Sequence, residues 1–266
     1  MGIPHEQRSS HGHAGVCSIR PGQFRVPAAG FTLIELLVVI SIMALLISIL
    51  VPALTHVNDQ ARAVVCQARV RQWGLAWAMY LDDNNRRFPQ YLGYTWMKKL
   101  REYYADDAAL LYCPTTTRTR TEGAPIRYAV IEDENGNRYG SYALNEWIYD
   151  SDHRDEDNYW RHSNHSGLSD IPVMADASWR SDGQPYETDD PPDYEGQPRT
   201  SVGSGGDEMR IFCINRHNGG TNFLFMDWSV RKVSLKRLWN LKWHRNFNTN
   251  TSPAAWPYWM NSIGDE

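Results

Sequence analysis

Residues 31–51 read FTLIELLVVISIMALLISILV, an apolar run interrupted only by Thr32, Glu35, Ser41 and Ser48. As a helix rising about 1.5 Å per residue it spans roughly 31 Å, which matches the hydrocarbon core of a bilayer. A helix that lies on a soluble core keeps one polar face, and this run has none. No second run of this kind occurs in the sequence, so the chain is expected to cross a membrane once. Residues 1–30 carry Arg8, Arg20 and Arg25 against Glu6 alone. Positive charge beside a first span stays cytoplasmic, which sends the body, residues 52–266, to the other side.

Charge and cysteine content then narrow what the body does. Of 27 Lys+Arg and 31 Asp+Glu, three arginines and one glutamate precede the run, leaving the remainder at about −6. A phosphate-binding surface is basic, so no nucleic-acid partner is expected. Cys17 falls in the leader, and Cys66, Cys113 and Cys213 allow at most one intramolecular disulfide. An oxidising compartment permits such a bond, but spacing does not choose the pair. There is no CxxC and no Cys/His spacing of the zinc-site kind, so no metal or other cofactor is expected from them. The acidic runs at 150–157 and 189–195 supply hard oxygen ligands of the kind calcium takes. Neither follows the EF-hand pattern, and charge runs are more often solvated faces.

The junction before the apolar run is unusual. A secretory signal places its small residues after the apolar stretch; here Ala28-Ala29-Gly30 stand in front of it, so cleavage there would keep the membrane helix. Gly30 has no side chain to obstruct a protease. The stretch Gly30-Phe31-Thr32-Leu33-Ile34-Glu35-Leu36 resembles the prepilin N-terminal motif of type IV pilin-like proteins and type II secretion pseudopilins. The resemblance implies that a prepilin peptidase cuts between Gly30 and Phe31 and methylates the new amine of Phe31. It also implies an inner-membrane location with the body in the periplasm or in an extracytoplasmic filament. The implied partners are the peptidase, other pilin or pseudopilin subunits, an inner-membrane assembly platform and membrane lipid. Glu35 would then pair with the Phe31 amine of a neighbouring subunit and set the stagger between subunits. Read by itself, a carboxylate within a span is costly unless paired and marks function; the plainer reading is a side chain that snorkels to the interface.

Beyond Pro52, which would kink or loosen a continuing helix, Val57, Ala61, Val64, Val65, Ala68, Leu75, Ala76 and Met79 recur at three- and four-residue steps. They predict a helix over 32–83 whose second half is buried along that stripe, ended by Asp82-Asp83-Asn84-Asn85 and Pro89. Strands are expected at 127–131, 139–144 and 171–175, with a hairpin of 222–226 and 229–233 around Asp227-Trp228. The segment 180–208 is rich in Asp, Pro, Gly and Ser and reads as an irregular loop. The expected fold is α+β: a long helix, half of it transmembrane, packed on an antiparallel sheet with long loops, as in pilins.

A second resemblance covers most of the body. Cys66 with Arg71-Gln72, then Tyr80, Asp83-Asn84 and Phe88-Pro89, Cys113-Pro114, and Arg216-His217-Asn218-Gly219-Gly220 with Asp227 are similar to a bacterial subgroup of prepilin-type proteins. That subgroup ends in His, nine residues, then Asp-Gly; here Trp228 stands where the glycine is expected. The paired cysteine motifs imply a Cys66–Cys113 disulfide. His217 and Asp227 read as metal ligands or as a hydrogen-bonded pair bracketing the hairpin, the structural role being favoured. No Gly-x-Ser-x-Gly motif accompanies them, so no enzyme is expected. Trp239 and Trp243 have the spacing to pack back on the sheet, whereas Trp256, Tyr258 and Trp259 are harder to bury. They keep open a membrane-anchored periplasmic module that binds a ligand such as a carbohydrate, or an enzyme, as the alternative to a filament subunit.

Overall fold

The computed structural model describes residues 30–90, 96–105, 107–116, 131–132, 138–151, 156–178, 181–197 and 208–264. The leader with Cys17, Ala28 and Ala29, most of the expected strand 127–131, and parts of 150–157 and 180–208 lie outside them. The chain divides into two compact units, one ending at Leu50 and the other covering Val51–Glu266.

Helix α1 runs Leu33–Asp83 and continues through Pro52 without a break. It is long and apolar enough to cross a membrane, and residues 33–51 are all exposed, as a lipid-facing segment would be and the core helix of a soluble domain would not. Its start is locally encoded. Glu35 N–H donates to Thr32 Oγ1 at 3.2 Å while Thr32 N–H and Oγ1–H both donate to Glu35 Oε2 at 2.9 Å. This is a capping box, in which two otherwise orphaned backbone donors are satisfied reciprocally.

The body is a mixed five-stranded sheet in the order β5-β3-β4-β6-β7, with the last turns of α1, from Cys66 to Leu81, packed against it. β3 (Tyr142–Asn145), β4 (Pro172–Asp176), β6 (Gly220–Phe225) and β7 (Val230–Ser234) pair antiparallel; β5 (Ser181–Gly183) lies parallel to β3 at the edge. A second, two-stranded sheet joins β1 (Ile131–Glu132) to β2 (Arg138–Tyr139). The expected strand at 139–144 is thus split between β2 and β3. Gly140 sits at the split because a side chain there would overlap the Leu111 carbonyl oxygen.

Three expectations need correction. The sheet is mixed rather than purely antiparallel, because residues 181–183 form a strand inside the segment read as loop. That segment packs instead of floating: Asp189 is buried and accepts from the N–H groups of Tyr186 and Met209, and Trp239 and Trp259 donate their indole N–H to the carbonyls of Asp189 and Pro192. Its own composition cannot bury much apolar area, and aromatic residues from elsewhere supply what it lacks. The largest correction concerns α1. Its buried residues are Cys66, Val70, Trp73, Gly74, Ala76, Trp77 and Leu81. Of the predicted stripe only Ala76 is among them; Val57, Val64, Val65, Leu75 and Met79 are exposed. At 100° per residue the two sets occupy opposite faces. The helix is apolar on both, and the sheet takes the face with the two tryptophans.

Candidate functional site

The first site is the entrance to α1. Gly30 is exposed, has open space where a side chain would sit, and lies three residues before Leu33, the first residue of α1. Phe31 is exposed as well. Glu35 occupies the first turn, where a negative charge meets the positive end of the helix dipole. Oε2 is engaged by Thr32, an arrangement whose Thr-x-x-Glu signature is legible in residues 32–35.

The second site is inside the body and joins residues that the sequence scatters. Asp176 closes β4, is fully buried, and gathers donors around it. His217 Nε2 lies 2.9 Å from Oδ2, the Cys66 thiol is 3.2 and 3.3 Å from the two oxygens, and the backbone N–H of Asn222 donates at 3.4 Å. Arg216 stands 3.6 Å from Oδ1 and is held there by donating to the carbonyls of Ser141 and Ala177. Cys113, whose own N–H donates to Ser141 Oγ, brings its sulfur within 3.4 Å of His217 Nε2. The donor atoms of Cys66, Cys113, Asp176 and His217 all lie within 4.8 Å of one another, and all four residues are buried. They come from α1, from the loop after the 3₁₀ turn Ala108–Leu111, from the end of β4 and from the turn before β6.

The electrostatics follow from this crowding. Burial and the Asp176 charge oppose ionisation of Cys113, yet hydrogen bonds with Cys66 and His217 and the nearby Arg216 charge lower its thiol towards thiolate. Burial raises the Cys66 thiol well above its usual value, and the hydrogen bond with Cys113 and the charge of Asp176 add to it. Burial also works against a charged His217, but the hydrogen bonds to Asp176 and Cys113 win and raise it to about 9. Asp176 stays below the usual carboxylate range despite its burial, through His217 and Arg216. Cys213 is buried elsewhere, its thiol pushed up by burial. Cys66, Cys113 and Cys213 are all free thiols, the first two within this one cluster.

His217 therefore pairs with Asp176. Asp227 is exposed at the other end of β6 and caps the hairpin turn by accepting the Ser229 N–H at 2.9 Å. Six residues of strand, roughly 20 Å, separate the two positions. Trp228 has φ 65°, the left-handed conformation in which a glycine is expected. Of the acidic runs, Asp150 pairs with Arg87 at 2.6 Å and Asp193 is bonded to Gln197. Among the described residues the metal-ligand cluster is the Cys66 group, not either run. Trp239 and Trp243 are fully buried, Trp256 and Trp259 pack against the core, and Tyr258 is exposed.

Residues 26–51 match the family model for the prokaryotic N-terminal methylation motif. No curated protein and no solved structure matches the chain. The motif and the long apolar helix behind it fit a type IV pilin-like or pseudopilin chain, processed by a prepilin peptidase and assembled with other such subunits. Such a motif implies a structural subunit rather than an enzyme.

Proposed function

We propose, taking as premise that this is a type IV pilin-like chain, that it is a structural subunit of a pilus-like or type II secretion pseudopilus filament. Prepilin peptidase cuts after Gly30 and methylates the amine of Phe31. The polar leader stays with the cytoplasm, the helix stays in the inner membrane until assembly, and the body faces the periplasm. The observation that carries this reading is the methylation motif at 26–51, with its exposed Gly30 immediately ahead of an apolar helix.

A second observation supports it. The stripe Val57, Val64, Val65, Leu75 and Met79 is 45–64% exposed on the face of α1 turned away from its own sheet. An isolated soluble domain keeps large apolar side chains off an exposed helix face, and a contiguous patch of them marks an interaction surface. A filament in which the helices of successive subunits pack together gives this face its partner. Intact-mass and N-terminal peptide analysis of the protein from cells with a prepilin peptidase tests the reading. The expected mature chain begins at N-methylated Phe31. A mature chain beginning near residue 52, with the apolar run removed, would overturn it.

A further inference from the structure

We propose that Cys66, Cys113, Asp176 and His217 bind one divalent transition-metal ion of the zinc class, four-coordinate and closed to solvent, as a structural staple between α1 and the sheet. This goes beyond the filament reading and does not rest on it.

The donor set is the first argument. Two thiolates, an imidazole nitrogen and a carboxylate oxygen are ligands that zinc takes in tetrahedral sites, with four protein ligands in structural centres. Geometry is the second. Tetrahedral bonds of 2.0–2.3 Å put neighbouring donor atoms roughly 3.3–3.8 Å apart. Here His217 Nε2 and Asp176 are separated by 2.9 Å, Cys66 and Asp176 by 3.2 Å, and Cys113 and His217 by 3.4 Å. The remaining pairs lie within 4.8 Å, so an ion at the centre draws the four donors together by up to about 1 Å, within the reach of side-chain torsions. Charge is the third. An M²⁺ ion with two thiolates and a carboxylate sums to −1, and Arg216 at 3.6 Å from Asp176 brings the buried group to neutrality. Binding sends whatever protons the two thiols and Nε2 carry to solvent; no electron moves.

A groove of about 700 Å³, lined by His56, Asp59, Arg62, Thr115 and Lys232 among others, borders His217 on the outside of the buried cluster. The ligands come from four separate places in the chain, so one ion fixes the soluble half of α1 to β4 and to the start of β6. That is the task a structural metal performs when binding energy becomes folding energy.

The same two sulfurs are the pair that a disulfide would join, and a disulfide removes both thiolate ligands. The experiment separates the outcomes. The full-length chain is purified in detergent under reducing, chelator-free conditions, loaded with zinc chloride, desalted and assayed for metal by mass spectrometry. About one zinc per chain is expected, together with a thermal midpoint that falls by several degrees on chelation. Cobalt loading should give thiolate-to-cobalt charge-transfer bands. His217→Gln and Cys113→Ser should fall at least tenfold in zinc retention, while Cys213→Ser keeps the full equivalent. Because those variants remove buried groups and risk misfolding, the unmodified chain carries the decision. Absence of retained zinc and of the cobalt–thiolate band in the folded, reduced chain overturns the proposal. So does a Cys66–Cys113 disulfide in peptide maps of protein taken from its own membrane with thiols blocked at lysis, or full zinc retention by a folded Cys113→Ser chain.

Discussion

Asp176 is fully buried, and its charge is stabilised by an imidazole, a guanidinium, a thiol and a backbone N–H. Replacing it with asparagine keeps the shape and removes the charge, which leaves Arg216 buried opposite a neutral group. Breaking a buried pair from one side costs about 3–5 kcal/mol. Asp176→Asn should therefore destabilise the chelated, reduced protein by about that much in urea unfolding, and a loss below about 1 kcal/mol would show that Arg216 is already satisfied by the carbonyls of Ser141 and Ala177. Three of the four clustered residues stood out in the sequence: Cys66 and Cys113 as paired motifs and His217 in Arg-His-Asn-Gly-Gly. Asp176 did not, because it follows an apolar run whose expected end was residue 175, and nothing local marks a partner for a histidine 41 residues away. A hub made by tertiary contact leaves no period and no motif in the chain.

At the level of elements, two glycines show how closely α1 and the loops are fitted to the sheet. A Cβ on Gly74 would sit 2.8 Å from Cδ1 of Leu224, the movable tip of a side chain on β6. The gain of about 1 kcal/mol in helix propensity from Gly74→Ala then works against a small displacement of that leucine, and the net change should stay within about 1 kcal/mol. A Cβ on Gly140 would instead overlap the Leu111 carbonyl oxygen, which is backbone and already accepts from Ser141 N–H. Gly140→Ala should cost about 3 kcal/mol, the upper range of overpacking, and the two thermal midpoints measured side by side check the contrast. The existence of α1, β4, β6 and β7 was legible from their periodicity and β-branched or aromatic content. The face that α1 buries was not, because aliphatic residues at 57, 64, 75 and 79 repeat on the outside as regularly as Cys66, Val70, Trp73 and Trp77 do on the inside. Periodicity finds a stripe, and here there are two. Three-residue β5 carries too little pattern to be seen, and its parallel partner is 38 residues back.

For the whole molecule, the exposed stripe and Glu35 make separable predictions about assembly. Val64→Lys and Leu75→Lys lie on open surface, so each should change the stability of the body by less than about 0.5 kcal/mol. In the filament reading both should sharply reduce the yield of sheared filaments in sedimentation; unchanged yield would leave the stripe without a partner in the assembly. Glu35 needs a finer test, because it has two roles to lose. It accepts from Thr32 in the capping box and, in the filament reading, it faces the Phe31 amine of a neighbouring subunit. Glutamine serves the third position of a capping box as glutamate does but carries no charge, whereas valine serves neither role. The apolar run suffices for insertion, so both variants should reach the membrane, and cleavage after Gly30 should persist at least in part. If the charge pair governs assembly, Glu35→Gln and Glu35→Val should fall together in filament yield. Should the cap be what matters, Glu35→Gln assembles and Glu35→Val does not. A Glu35→Val chain that assembles as well as the unmodified protein removes both roles and leaves the carboxylate as a side chain that snorkels to the interface. An unmodified chain that yields no sheared filaments instead returns weight to a membrane-anchored module.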